Sequence, residues 1–311
     1  MNALPEIITL GDLNLDILFY LNRLPSKGGE SLAHTLEVHP GGSAANVAVA
    51  LSRLGLNVGF IGAVGNDVIG EFLLRNMESE NVDVSLLARK KDYTGVMVII
   101  VTRDGERTIL GYRGANRLLS EKDIEEEYFK TIKYAFVSGY ALLENPQKKA
   151  AYKMMKIARE KGAKIFVDIC EVLAGRTWSN LKKLLLLSDY LLMNEREFEM
   201  FIVDEKNISS IFEYGVEAII VKRGGKGART FTKQGVCDMP AFRVEAVDTT
   251  GAGDAFDAGF IYGIFRKYDM RRSLEIANAL AAWKCKGRGA RHLPKLKQLN
   301  NFLKKYSACK A

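Results

Sequence analysis

From about residue 120 the chain alternates short apolar, β-branched runs with longer stretches of helical spacing, and this alternation limits the fold more than any other feature. Strands are expected at 133–139, 164–168, 189–193 and 217–222, with helices near 121–130, 146–161 and 178–187 between them. Strands separated in this way by helices lie in one sheet as parallel neighbours joined by crossovers, so an α/β core follows. Beyond it come the glycine turn RGGKG at 223–227, a strand carrying Arg229 to Phe231, and helices at 272–286 and 295–306. The first part reads differently. A buried strand over 6–10 ends at Gly11, and strands at 94–102 and 106–113 are joined by the tight turn RDGE as a hairpin. With no internal repeat or low-complexity linker, residues 1–311 read as a single domain with a small β-rich appendage from about 12–40 and 94–117.

Two glycine-bearing helix starts carry the chemistry. In DTTGAGDAFDAGF, residues 248–260, an alternating segment (Phe242, Val244, Ala246) reads as a strand end that leads into a helix of small and apolar residues. Thr249 and Thr250 stand where an N-cap belongs, which puts the junction at Gly251. Glycine at 251 and 253 allows a tight turn and leaves main-chain N–H groups uncovered. Such groups at a helix N-terminus bind anions. Asp254 then sets a carboxylate beside the anion site, as a base acting on a nucleophile near a transferring phosphoryl group requires; the alternative is ordinary first-turn dipole chemistry. The helix terminus is expected to lower the pKa of Asp254. Asp257 lies one turn on, and spacing does not choose between the two acids.

The other start, GGSAANVAVALSRLG at 41–55, is apolar almost all round and therefore buried. Gly41 and Gly42 suggest close backbone approach; Asn46 is either a polar group on a pocket floor or a partner for neighbouring backbone. Asp12, Asn14 and Asp16 alternate against leucines and share one face, suited to polyol hydroxyls or to the wet side of an edge strand.

Composition excludes several classes. The net charge of +8 comes from Lys and Arg interleaved with acids, with no basic block to mark a nucleic-acid binder. No apolar run approaches the ~18 residues of a membrane span, and the N-terminus carries no basic signal region, so cytoplasmic residence is expected. Cys170, Cys237, Cys285 and Cys309 are far apart and read as buried or idle thiols. Gly11 is followed by DLNLDI, not by the glycine fingerprint of a dinucleotide-binding oxidoreductase.

The two glycine segments, in this order and at this separation, resemble the N-terminal and C-terminal signatures of the ribokinase-like PfkB carbohydrate kinases, and the likeness covers essentially the whole chain. The resemblance implies a central, mostly parallel β-sheet flanked by helices, with a small β-sheet lid that closes over the sugar and forms a homodimer. It implies an ATP-dependent kinase in which Asp254 takes the proton from a primary hydroxyl and the amides of Gly251, Ala252 and Gly253 form the anion hole. By the same resemblance Asn14, Asp16, Gly41, Gly42 and Asn46 meet the sugar, while Asn194, Lys222, Gly225, Gly227 and Asn278 lie with the nucleotide. Glu197 would support Mg²⁺ through water, and Asp248, with carbonyls near Gly287 to Arg291, would form the monovalent-cation (K⁺) site of many members. On the residues alone, Asn194 and Glu197 read equally as a helix N-cap with an acidic first turn.

Tyr112 and Arg113, in GYRGAN, resemble the hairpin tip of 2-keto-3-deoxygluconate kinases, where an Arg meets a carboxylate bidentately. Against that, the DxNxR pattern of those kinases reads Asp168, Cys170, Val172 here. Ribose, fructose, a keto-deoxy acid and a nucleoside all stay open as acceptor, and a non-catalytic sugar or nucleotide sensor is the rival outside enzymology.

Overall fold

The computed structural model describes residues 4–176, 178–202 and 206–308. In chain order its strands are β1 (Ile7–Leu10), β2 (Asn14–Tyr20), β3 (Thr35–Gly41), β4 (Val58–Gly65), β5 (Leu87–Lys90), β6 (Gly95–Val101) and β7 (Arg107–Tyr112). There follow β8 (Tyr134–Ser138), β9 (Lys164–Asp168), β10 (Tyr190–Asn194), β11 (Ala218–Lys222), β12 (Ala228–Thr232) and β13 (Gly235–Met239). Nine of them form one sheet in the order β13–β12–β11–β10–β9–β8–β1–β4–β5, parallel except where β12 pairs with β11 and β13. Parallel strands are covered on both faces, so they must be apolar throughout; β1 and β4 are buried at every residue. Neighbouring side chains serve opposite layers. Ile7 joins the core made with the helices Ser43–Arg53, Ala252–Phe265 and Met270–Cys285, whereas Ile8 joins that made with Gln147–Glu160.

The helices Ala252–Phe265 and Met270–Cys285 lie against each other along small residues. A Cβ on Gly259 would stand 2.7 Å from the Ala277 Cα, and one on Gly263 equally close to Ser273. This contact, rather than a cap or a charge, fixes where the start of the Ala252–Phe265 helix points.

The other four strands form the lid sheet, ordered β3–β2–β6–β7. The β6–β7 hairpin turns at 102–106, so Tyr112 and Arg113 lie at its base, beside the core, and not at its tip. Two further readings change. The segment near 121–130 is two short 3₁₀ turns, Glu121–Asp123 and Glu126–Phe129, separated where Ile124 is extended (φ −102°, ψ 103°), and Lys153 Nζ donates to the carbonyls of Glu121 and Ile124. Phe242 to Ala246 is irregular backbone and not a strand; Pro240 precedes it, and the Asn278 amide supplies the donors for the carbonyls of Met239 and Pro240. Among the described residues no helix is long and apolar enough to cross a membrane.

Candidate active site

Open parallel sheets place ligands beyond the carboxyl ends of their strands, where the strand order reverses. From β1 the sheet runs to β4 and β5 on one side and to β8, β9, β10 and β11 on the other, so the reversal lies between β1 and β8. Two cavities open along that edge. One, of about 520 Å³, takes Asp12, Asn14 and Asp16 from the β1–β2 passage and is roofed by Met97, Ile99 and Ile109 of the lid. The other, of about 400 Å³, is walled by Asp168, Asn194 and Lys222, the last residues of β9, β10 and β11. Asp254 lines both.

Asp254 lies in the first turn of its helix, and Asn46 Nδ2 donates to its Oδ2 at 2.8 Å. Asn46 is fixed in turn by Arg291, whose Nε donates to its Oδ1 at 2.9 Å. Burial raises the pKa of Asp254, and this outweighs the Asn46 hydrogen bond that lowers it. The expected depression by the helix terminus is therefore reversed: loss of solvent wins. Asn46→Ala should raise that pKa further, so the acid limb of a kcat–pH profile moves to higher pH; a limb that stays in place would detach Asn46 from the base.

The turn itself is held by glycine. Gly251 is the N-cap at φ 74°, and a Cβ there would lie 2.8 Å from that of Ala290. The threonine hydroxyls do not cap the helix. Thr250 Oγ1 accepts from Arg107 of β7 at 2.6 Å, tying the lid to the turn. Of the three expected anion-hole donors, the Ala252 N–H already donates to the Thr249 carbonyl at 3.1 Å. Gly251 and Gly253 supply first-turn N–H groups that a helix leaves without an internal acceptor.

Among the expected sugar residues, Asn14, Asp16, Gly42, Asn46 and Arg113 line the first cavity. Gly41 backs it instead: a Cβ there would lie 2.2 Å from the Asp16 carboxylate. Tyr112 stands outside, its hydroxyl donating to Asp92 at 2.7 Å. Arg113 is already committed, with Nε at 2.8 Å and Nη2 at 2.9 Å from the two oxygens of Asp12, to which Gln147 also donates at 2.7 Å. Burial, opposed by Arg291 and helped by Asp254, raises Asp16 to a pKa of about 7. Asn116, expected at the hairpin tip with Tyr112 and Arg113, instead donates to Asn14 Oδ1 at 2.8 Å and accepts from the Leu13 N–H at 2.9 Å.

In the second cavity Lys222, Gly227, Asn194, Glu197 and Asn278 stand in the wall, and Gly224 takes the place expected for Gly225. Asn194 and Glu197 form a complete capping box, with bonds of 2.8 and 2.7 Å, so the structural alternative is realised in residues that also face the cavity. Lys222 Nζ bridges Asp168 (2.7 Å) and Asp257 (3.0 Å) and lies 3.6 Å from where a Gly253 Cβ would stand. Asp257 is fully buried in this pair and, unlike Asp254, lines neither cavity.

Residues 4–296 match the model of the pfkB family of carbohydrate kinases. The chain belongs to the PfkB family. This PfkB kinase is 34% identical over 300 residues to an ATP-dependent ribose-1-phosphate kinase of Halopiger xanaduensis, covering 96% of this chain and 98% of the relative. It is 31% identical over 285 residues to a 5-dehydro-2-deoxygluconokinase of Clostridium perfringens, covering 85% of this chain and 84% of the relative. Among solved structures, a putative ribokinase II from E. coli in complex with ATP and Mg²⁺ superposes with a TM-score of 0.86 at 25% identity, over 97% of this chain and 100% of that one. Ribokinase from Thermotoga maritima gives 0.83 at 26%, over 96% and 99%.

The PfkB kinase is thus a phosphotransferase of sugars or nucleosides, and its two ion sites can be judged by their donors. No group of three His, Cys, Asp or Glu side chains is placed to hold a metal among the described residues. Asp168 and Glu197 nevertheless face the second cavity, which suits a Mg²⁺ carried by nucleotide phosphates and touched by one or two carboxylates. The oxygens of Asp248, expected at a K⁺ site, already have partners. Its Oδ1 accepts from the Thr250 N–H and its Oδ2 from the Gly289 N–H, both at 2.8 Å, and the buried Lys284 ammonium donates to its carbonyl at 2.6 Å.

Proposed function

We propose that this kinase transfers the γ-phosphate of ATP to a primary hydroxyl of a pentose-sized sugar held in the 520 Å³ cavity. The observation that carries this reading is the position of Asp254 in the walls of both cavities, where an acceptor hydroxyl and a phosphate meet. Asn14, Asp16 and Asn46 supply donors and acceptors for ring hydroxyls. Asp254, with a raised pKa, takes the hydroxyl proton as the oxygen bonds phosphorus. The first-turn N–H groups and Lys222 then stabilise the charge that gathers on the transferring group. Mg²⁺, when bound with ATP, neutralises phosphate charge from the side of Asp168 and Glu197.

The Asp12–Arg113 pair argues against an acid sugar, because the Arg113 guanidinium in that wall is already met bidentately. A sugar 1-phosphate is the second reading. Its support is the name of the 34% identical relative and the guanidinium of Arg107 at the mouth of the cavity, on Thr250. Measuring ATP consumption with ribose, ribose 1-phosphate, a keto-deoxy acid and a nucleoside separates these; ribose or its phosphate should be fastest. A preference for the acid would remove the Arg113 argument, and silence across the panel with folded protein would favour a sensor.

The same reading makes the lid a dimer contact, since Leu36 (56% exposed) and Leu110 (61%) lie uncovered on its sheet. A monomeric mass by light scattering would exclude it. ATP use and the free thiols of Cys170, Cys237 and Cys285 fit a reducing cytoplasm. Cys309 lies outside the described residues.

A further inference from the structure

We infer that the ammonium of Lys284 takes, as a permanent part of the fold, the place in which a monovalent cation would steady the anion-binding turn, so that this kinase works without K⁺. Lys284 is the penultimate residue of the helix Met270–Cys285, and its side chain is 0% exposed. Its Nζ donates to the Asp248 carbonyl at 2.6 Å and the Gly287 carbonyl at 3.3 Å, and lies 3.5 Å from Asp248 Oδ2. An ammonium and an alkali cation ask the same of a protein: a site for one positive charge, surrounded by oxygens. Several oxygens of Asp248 and the 287–291 loop already accept hydrogen bonds. Besides those held by Lys284, the Arg291 carbonyl accepts from Arg53 Nη1 at 3.0 Å. A second cation here would meet Lys284 at short range with little water to screen the repulsion.

What Lys284 joins is the frame of the active-site turn. Asp248 opens the segment that ends at Gly251, and Gly251 is packed on Ala290 of the other loop. Through Asp248 and Gly287 the ammonium holds the two loops together; it touches neither cavity and is a positioning residue. The cost of such a tether is a buried charge, which the Asp248 carboxylate and two carbonyls offset only in part, so burial still lowers the Lys284 pKa.

The part of this inference that concerns turnover rests on the kinase reading; the part that concerns ion binding does not. The test compares the full-length protein in KCl, NaCl and tetramethylammonium chloride at equal ionic strength, reading both turnover and the Tm of the ATP–Mg²⁺ complex. Wild type should show the same rate and the same Tm in all three. Lys284→Ala should lose about tenfold or more in kcat in tetramethylammonium chloride and regain a large part in KCl, with a Tm that rises with K⁺. A variant that folds only with K⁺ present would support the same conclusion. Stimulation of wild type several-fold by K⁺, or a K⁺-dependent wild-type Tm, would overturn it, as would a folded Lys284→Ala indifferent to every cation. If Lys284→Ala folds in no salt, the wild-type comparison decides alone. Wild-type protein inactive with every sugar would contradict the kinase reading instead, leaving the Tm series to decide the ion question.

Discussion

Asp254→Asn is expected to lower kcat by about 10²- to 10⁴-fold, with the sugar KM within about twofold of wild type. The amide keeps the shape of the carboxylate and a contact for Asn46, but it cannot take a proton from the acceptor hydroxyl. Because burial raises the pKa of Asp254, the wild-type rate should climb with pH through a limb above the ordinary carboxylate range, and the variant should lack that limb. Asp257→Asn makes the contrast. Asp257 reaches neither cavity, but it is buried against Lys222, so its loss should weaken stability and ATP binding more than kcat at saturation. Asp257→Asn is therefore not expected to be mild overall. Equal losses of saturating kcat in the two variants would reassign the base.

The second large effect is at Lys222. Burial alone would depress its pKa, yet Asp168 and Asp257 more than reverse this and hold the ammonium charged. Lys222→Met leaves Asp257 buried beside Asp168 with no cation between them, and should cost about 3–5 kcal/mol of stability near neutral pH. The direction with pH follows from Asp257, whose folded pKa stands well above its unfolded value because of burial. Without Lys222 that elevation grows. The stability associated with the protonated acid is fully present below the unfolded pKa and is lost as pH rises through the folded one, so the variant's deficit should shrink on acidification. Adding Asp257→Asn to Lys222→Met should restore part of the loss at neutral pH. Urea unfolding of the two single variants and the double variant checks this; additive losses would deny the coupling.

The architecture was largely legible in the chain because parallel strands covered on both sides must be apolar end to end. The apolar stretches 165–167 and 218–221, with their charged residues only at strand ends, leave little other choice. The 121–130 segment is interrupted at the extended Ile124, whose carbonyl meets Lys153 of a distant helix, and local spacing reveals neither. At the site, Gly251, Asp254 and Asn46 lie in segments whose local pattern is informative. Arg291, Asn116 and Lys284 do not. Each acts through a partner brought near only by folding: Asn46 for Arg291, Asn14 for Asn116, Asp248 for Lys284. Nothing in the spacing of WKCKGRGARH separates a tethering lysine from an ordinary cationic helix end. The helix-dipole argument for Asp254 had the same weakness, since burial cannot be read from first-turn position.

The most direct test is the structure of the protein with ribose, or its 1-phosphate, and a non-hydrolysable ATP analogue carrying Mg²⁺. The sugar's primary hydroxyl oxygen should lie within about 3 Å of an Asp254 carboxylate oxygen, with the terminal phosphate over the Gly251 and Gly253 N–H groups. A terminal phosphate bound elsewhere, or an acceptor hydroxyl met by a different acid while Asp254 stays on Asn46 alone, would contradict the account.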